Sequence, residues 1–329
     1  MAIIRGKIGV IGAGAWGTAI ACLLAYNDCY VDLWCRNEEK AKQMEETRSV
    51  EKYLPGIKLH ENIVKISSDL EGVIQGKEFI FLAVPSIAIR DIVSQIKIDP
   101  DSCYILCSKG YDFESGKFLT EVMAEYIEKG KIFVLSGPNF AIDIAKGMPS
   151  TTSLSYYYHQ YRSYESAIEI KKILSSQKMK LHLNSDPMGS QLCGLMKNIY
   201  AILIGIIRGS DNDSENTVAM IILEAIKEIK FFLKKMNYDA SIIDEPCGIG
   251  DLFMTCNSRL SRNMSLGYKI GKGEEIDYSG LMPEGYYAVD IIAKDNLPIC
   301  KVVHQILYPE KYSEKNDYQT LLNKLYEVL

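Results

Sequence analysis

Along the first half of the chain, short apolar runs alternate with longer segments of helical spacing. KIGVI (7–11) is β-rich and runs into glycines, and residues 15–26 then read as a helix. YVDLWC (30–35) predicts a strand, and the charged stretch 37–48 predicts an exposed helix. EFIFLAV (78–84) is continuously apolar, the pattern of a strand covered on both faces. Pro85 ends it, and IAIRDIVSQI has helical spacing. CYILC (103–107), KIFVLS (131–136), TTSLSY (151–156) and MKLHLN (179–184) predict further strands with helices between them. Such alternation predicts an α/β fold with a doubly wound parallel sheet.

The pattern changes after Asn184-Ser185-Asp186-Pro187. From there to the end helical periodicity dominates, which predicts two domains, 1–187 and 188–329, the second all-helical. Residues 188–209 are long and apolar. Residues 217–236 are amphipathic, with Glu224, Lys227, Glu228 and Lys230 assigned to the polar side. The stretch 244–263 is rich in glycine and polar residues, and 311–329 closes the chain with a helix.

The 329 residues are 47% hydrophobic and 24% charged, enough for a sizeable core and against global disorder. A net charge of −5 gives no bulk attraction to nucleic acid. One run resists a purely globular reading: Ile8 to Tyr26 carries no charge, with Arg5 and Lys7 just before it. That is the outline of a secretory signal or a short span. Gly9, Gly12, Gly14 and Gly17 interrupt it, so strand, tight turn and buried helix fit better, and no other segment is expected to approach a membrane span. The nine cysteines form no CxxC pair and the four histidines are far apart in sequence. Buried, reduced thiols in a cytoplasmic protein without structural metal are expected.

Gly12-Ala13-Gly14-Ala15-Trp16-Gly17 matches G-x-G-x-x-G after a β-run and before a helix. In a dinucleotide site the first glycine permits the turn, the second admits the pyrophosphate, and the third lets helix and strand pack closely. The helix N-terminus presents free N–H groups to phosphate. Residues 1–187 therefore read as a Rossmann-type dinucleotide-binding domain. An acidic residue about 20 positions on would mark NAD, but Asp32 lies inside the strand and Arg36 follows its end. Arg36 is a cation suited to a 2′-phosphate, which favours or admits NADPH beside NADH.

Four later segments carry a resemblance: SKG (108–110), SGPNFA (136–141), LMKNIYAI (195–202) and GIGDLFMTCNSRLSRN (248–263). In this order after GAGAWG they resemble the bacterial NAD(P)-dependent glycerol-3-phosphate dehydrogenase family, and MPEGYYAV (282–289) resembles its later V-V-E-G segment. The resemblance implies a Rossmann domain followed by a helical substrate-binding domain. It also implies reduction of dihydroxyacetone phosphate to sn-glycerol 3-phosphate, for glycerophospholipid synthesis, and it allows a homodimer.

Residue roles follow from that resemblance. Lys197 stands at the family's catalytic lysine, an acid for the developing alkoxide and a base in reverse. A neighbouring cation or burial would tune it towards working pH. Lys109 matches the second lysine, in contact with substrate and cofactor. Gly137, Asn139, Asp251, Ser261, Arg262 and Asn263 match substrate contacts. Asp251 either orients Lys197 or binds a substrate hydroxyl, the plainer alternative being a loop carboxylate that caps a helix, and Asn198 and Thr255 are further polar groups for the site. A hydroxyl, a guanidinium and an amide in Ser261-Arg262-Asn263 suit a phosphomonoester. Ala15, Trp16, Arg36, Tyr53, Ala141, Arg262, Met282 and Glu284 match cofactor contacts, beside Gly12, Gly14 and Gly17. Two departures stand out: Cys35 where relatives often carry a basic or polar residue, and Met282-Pro283 in place of a valine pair. A sister β-hydroxyacid or ketopantoate-type reductase would share the architecture and a lysine but not need the S-R-N triplet. A cofactor-binding regulator without turnover would not need the lysines.

Overall fold

The computed structural model describes residues 7–211, 213–258, 260–295, 297–314 and 316–329; Arg5, and Arg259 within the 248–263 motif, lie outside the described residues. The chain divides into two compact units, Met1–Ser190 and Gln191–Leu329.

The first unit is built on one eight-stranded sheet. Its strands are β1 (Lys7–Ile11), β2 (Tyr30–Trp34), β3 (Ile63–Ser67), β4 (Phe79–Leu82), β5 (Cys103–Leu106), β6 (Ile132–Ser136), β7 (Ser150–Ser155) and β8 (Met179–Asn184). Their spatial order is β8-β7-β6-β5-β4-β1-β2-β3. The helices of this unit are α1 (Ala15–Tyr26), α2 (Glu38–Thr47), α3 (Leu70–Ile74), α4 (Ile89–Gln95), α5 (Leu119–Met123), α6 (Ala141–Ala145) and α7 (Ser163–Leu174). The core 3-2-1-4-5-6 order is the doubly wound dinucleotide-binding topology, whose ligands sit outside the carboxyl ends of the strands.

Strand alternation splits the core in two. Phe79 and Phe81 of β4, with Cys103 and Ile105 of β5, join the cluster that contains α1 and α7. Ile80 and Leu82, with Tyr104 and Leu106, join the one that contains α4 and α5. Both faces of these strands are buried, which is why they read as unbroken apolar runs. α1 is buried nearly all round, so the uncharged Ile8–Tyr26 run resolves into a buried strand and helix with glycines between.

The sheet departs from the expected all-parallel form at one place: β7 pairs antiparallel with β6. Their connection holds only the five-residue α6. Such a helix spans about 7.5 Å, less than half of a five-residue strand at about 3.3 Å per residue. With so short a helix the connection stays at the end of the sheet where β6 finishes, and β7 runs back beside it. β3 was not expected from the sequence, nor were two small ribbons, Ser49–Val50 with Leu54–Lys58 and Tyr111–Asp112 with Lys117–Phe118.

The second unit is helical: α8 (Pro187–Gly209), α9 (Glu215–Lys235), α10 (Asp251–Asn257), α11 (Arg262–Gly271), α12 (Glu284–Ile292), α13 (Pro298–Leu307) and α14 (Tyr318–Val328). Three expectations are corrected here. α8 is long and apolar enough to cross a membrane, with mean hydropathy 1.5, yet its apolar window is entirely buried in protein. The 244–263 stretch, which reads as loop because of its glycines, holds a π-helical turn at Pro246–Gly250 and then α10. Glu228 belongs to the inner face of α9, with Ile221, Ala225, Ile229 and Phe232. Its carboxylate accepts from Ile299 N at 2.6 Å and from the Tyr200 hydroxyl at 3.1 Å. Those bonds offset the cost of burying it.

α8 and α11 meet backbone to backbone. A Cβ on Gly205 would lie 2.2 Å from Met264 O, and one on Gly209 2.3 Å from Tyr268 O. Across the contact, Cβ atoms on Gly267 and Gly271 would lie 2.0 and 2.1 Å from Ile202 O and Ile206 O. No side chain fits at any of the four.

Candidate active site

The glycine turn after β1 has the form a pyrophosphate needs. Gly12 has φ of +119°, and a Cβ there would strike Ala83 O at 2.6 Å. A Cβ on Gly17 would lie 1.8 Å from Gly12 O, which keeps α1 against the turn. Gly14 is the N-cap of α1 and has open space where a Cβ would stand. No acidic residue occupies the first turn of α1. These are the three separate tasks expected of the motif. Trp16 donates from Nε1 to Cys107 O at 3.0 Å, tying α1 to the end of β5.

At the end of β2, Asp32 is buried and paired with Lys77 at 2.5 Å. Its carboxylate is thereby engaged within the sheet. Arg36 is exposed just beyond. Asn37 caps α2 through its side chain, accepting from Lys40 N at 2.7 Å. The Lys40 ammonium donates to Ala13 O at 2.6 Å and lies 4.2 Å from the centre of the Tyr53 ring. Tyr53 thus joins the glycine turn through a lysine that the motif reading passed over. Its spacing, four residues after Arg36, is the signal that was available.

Lys109 and the 137–141 segment follow the ends of β5 and β6. Lys109 Nζ donates to Gly137 O at 3.3 Å. Asn139 donates from Nδ2 to Thr151 O at 2.9 Å, while its Oδ1 and the Thr152 hydroxyl are buried without a hydrogen-bond partner among the described residues. Ala141 opens α6. Lys109, Gly137, Asn139 and Ala141 therefore share the carboxyl-end edge of the sheet with the glycine turn.

In the second unit Lys197, on α8, is 95% buried. Its ammonium lies 2.8 Å from Asp251 Oδ1 and 2.7 Å from Thr255 Oγ1. Asp251 is wholly buried at the first turn of α10, and Thr255 follows one turn later, so both reach the same ammonium. The nearest charge to Lys197 is thus a carboxylate, not the cation entertained from the sequence. Asp251 supplies the countercharge that a lysine buried on an apolar helix needs. Burial pushes the neighbouring Cys256 thiol up to about 12.

Next to Lys197, Asn198 ties three helices together. It donates from Nδ2 to Glu284 Oε2 at 3.2 Å and accepts on Oδ1 from Asn263 Nδ2 at 2.9 Å. Asn263 Oδ1 accepts from Gly285 N at 2.9 Å. Asn263 and Glu284 are therefore engaged with protein partners. The Ser261 hydroxyl caps α11 by accepting from Met264 N at 3.3 Å, and Arg262, the first residue of that helix, is exposed. Met282 is buried, and its N–H donates to the Tyr287 hydroxyl at 3.2 Å.

Two family models match the chain. The N-terminal model of NAD-dependent glycerol-3-phosphate dehydrogenase covers residues 7–162, and the C-terminal model of the same enzymes covers residues 186–316. The chain belongs to this family. A glycerol-3-phosphate dehydrogenase [NAD(P)+] of Ehrlichia chaffeensis is 35% identical over 94% of this chain and 98% of its own length. One of Neorickettsia sennetsu is 38% identical over 80% of this chain and 77% of its own. The crystal structure of glycerol-3-phosphate dehydrogenase from Coxiella burnetii superposes with a TM-score of 0.84 at 28% identity, covering 98% of this chain and 99% of the other.

Membership makes the chain an oxidoreductase with a nicotinamide dinucleotide as its cofactor class. The dehydrogenase reading accords with the glycine turn, whose open space at Gly14 is the kind of cradle that a pyrophosphate fills. Sequence reasoning passed over Lys40 and the four glycines of the α8–α11 contact. Their signal was the four-residue spacing of Gly205 with Gly209 and of Gly267 with Gly271.

Proposed function

We propose that this dehydrogenase reduces dihydroxyacetone phosphate to sn-glycerol 3-phosphate with Lys197 as the proton donor, in the cytoplasm, for glycerophospholipid synthesis. The observation that carries the chemical assignment is the buried Lys197–Asp251 pair at 2.8 Å. The cofactor, when bound, supplies the hydride. As the substrate carbonyl oxygen gains charge, the Lys197 ammonium gives it a proton and becomes a neutral amine, to be recharged from solvent. In the reverse direction that amine takes the proton of the alcohol. Asp251 and Thr255 fix where the ammonium points, so little reorganisation remains for the transition state.

The phosphate falls to Arg262, with the Ser261 hydroxyl beside it. A guanidinium offers paired donors to phosphate oxygens. Asn263 serves by holding Asn198 and the start of α12 in place. In the first unit, Lys109, Gly137 and Asn139 are assigned to the substrate, and Ala141, Trp16 and Tyr53 to the cofactor. Residues 1–187 form the dinucleotide-binding domain and residues 188–329 the substrate-binding domain in this reading. Glu284 contributes through Asn198, and Met282 through the loop that Tyr287 ties. Arg36 favours the phosphorylated cofactor, NADPH.

The deciding experiment is oxidation of NADPH and, separately, NADH by the purified protein with dihydroxyacetone phosphate. Ketopantoate and a phosphate-free 2-hydroxyketone serve as controls. Turnover confined to the phosphorylated ketone is expected. Turnover with ketopantoate instead would establish the sister-reductase reading, and none with any pair would refute both.

A further inference from the structure

We infer that Lys40 is a determinant of cofactor choice, a second cation set to recognise the 2′-phosphate of NADPH beside Arg36. This rests on the dehydrogenase reading above and goes beyond it in naming the group that makes the distinction.

An NAD site usually offers a carboxylate to the ribose 2′-hydroxyl at the end of the second strand. Here Asp32 is buried and consumed by Lys77. Of the acids in the first turn of α2, Glu38 is paired with Lys42 at 2.8 Å, and Glu39 lies about 100° round the helix from Lys40. Lys52 is a further cation beside it, 5.7 Å from the same Tyr53 ring, the Glu51 carboxylate is engaged by Gly56 N, and Arg36 stands four residues earlier in the chain.

Lys40 differs from an ordinary surface lysine in being held. Its ammonium is bonded at 2.6 Å to Ala13 O, inside the glycine turn itself, and rests 4.2 Å from the Tyr53 ring centre. The turn is fixed in its own right to the end of β2, because Gly12 N donates to Trp34 O at 3.1 Å. A lysine ammonium has three N–H donors. One is used on Ala13 O, and the ring face attracts the charge without consuming a hydrogen-bond acceptor. Donor capacity remains for an anion. The side-chain entropy that a free lysine would lose on binding is already lost. Arg36 is exposed and supplies a planar fork, whereas Lys40 supplies a fixed point charge. A dianionic phosphate ester uses both, and an uncharged hydroxyl gains little from either.

The competing account is that Lys40 only staples α2 to the glycine turn. The two differ in what its removal does. Isothermal titration of the intact protein, without substrate, would use adenosine 2′,5′-bisphosphate, 5′-AMP, NADPH and NADH, for the wild type, Lys40→Met and Lys40→Arg. Expected is a fall of about tenfold or more in the affinity ratio of adenosine 2′,5′-bisphosphate to 5′-AMP in Lys40→Met, the scale of one charge-assisted hydrogen bond. The NADPH to NADH ratio should fall with it, and Lys40→Arg should keep most of both ratios. Added salt should narrow the wild-type ratio more than that of Lys40→Met, which keeps Arg36. Equal weakening of all four ligands would make Lys40 a staple and overturn the inference, as would unchanged ratios. Failure of the wild type to bind NADPH and NADH at all would instead strike the dehydrogenase reading, which separates the two failures.

Discussion

Lys197 and Asp251 form a salt bridge in which the carboxylate is wholly buried and the lysine side chain is only 6% exposed. Removing one member of such a pair costs about 3–5 kcal/mol, because the other is left charged and unpaired. Lys197→Met and Asp251→Asn should therefore both lose stability, the first more. The double variant Lys197→Met/Asp251→Leu should regain much of it while remaining inactive. Turnover should drop roughly 10²–10⁴-fold for Lys197→Met. Urea midpoints measured beside turnover rates check this, and an active, stable Lys197→Met would remove the lysine from the chemistry.

Arg262 is exposed at the start of α11, so its loss should barely touch the fold. Arg262→Ala is expected to stay within about 0.5 kcal/mol of wild type in stability. The Michaelis constant for dihydroxyacetone phosphate should rise at least tenfold. Equal Michaelis constants in the two proteins would contradict the phosphate assignment.

The α8–α11 contact admits no side chain. Gly267→Ala would place a methyl 2.0 Å from Ile202 O. Overpacking of this kind costs about 1–3 kcal/mol, occasionally more, and here backbone rather than a flexible side chain must move. Gly280→Ala is the control, since nothing lies within 4 Å of its Cβ position. Denaturant titration should show a marked loss for the first and almost none for the second.

Glu228 holds its proton above the ordinary value of 4.5, chiefly because burial disfavours the carboxylate; the bonds from Ile299 N and Tyr200 only partly oppose this. Its folded-state value is raised, so its stabilising contribution is full below the unfolded value near 4.5 and is lost as pH rises through the folded one. Glu228→Gln cannot ionise and keeps an acceptor for Ile299 N. The wild type should lose stability relative to this variant as pH climbs from 4.5 towards neutrality. Parallel stability curves for the two proteins would show that Glu228 does not ionise differently in the fold.

Much of the architecture was legible. Runs such as Phe79–Leu82 cannot be half-exposed strands, because all four residues are apolar. The strand Ile63–Ser67 escaped notice since only Ile63 and Ile66 point inward and Lys65 interrupts the alternation. The antiparallel return at β7 was hidden because strand direction depends on how far the connection travels, not on its composition. Glu228 was misplaced by its charge, although its position three after Ala225 and four before Phe232 lies on the apolar stripe. Asp251 and Thr255 could be named from their motif, but that they share one ammonium depends on a helix beginning at Asp251 in a stretch that looks like loop. Lys40 lies in no motif, and its reach back to Ala13 supplies what its spacing from Arg36 alone does not.

The burial of the apolar window of α8 has a consequence for the order of synthesis. The ribosome makes this apolar helix before α11 and α12, whose Gly267, Gly271 and Gly285 later press against its backbone. From the moment residue 209 emerges until about 75 further residues follow, α8 has the hydropathy of a membrane span and lacks those two partners. A chain arrested in that interval would expose apolar surface of α8 that these later helices cover in the finished fold.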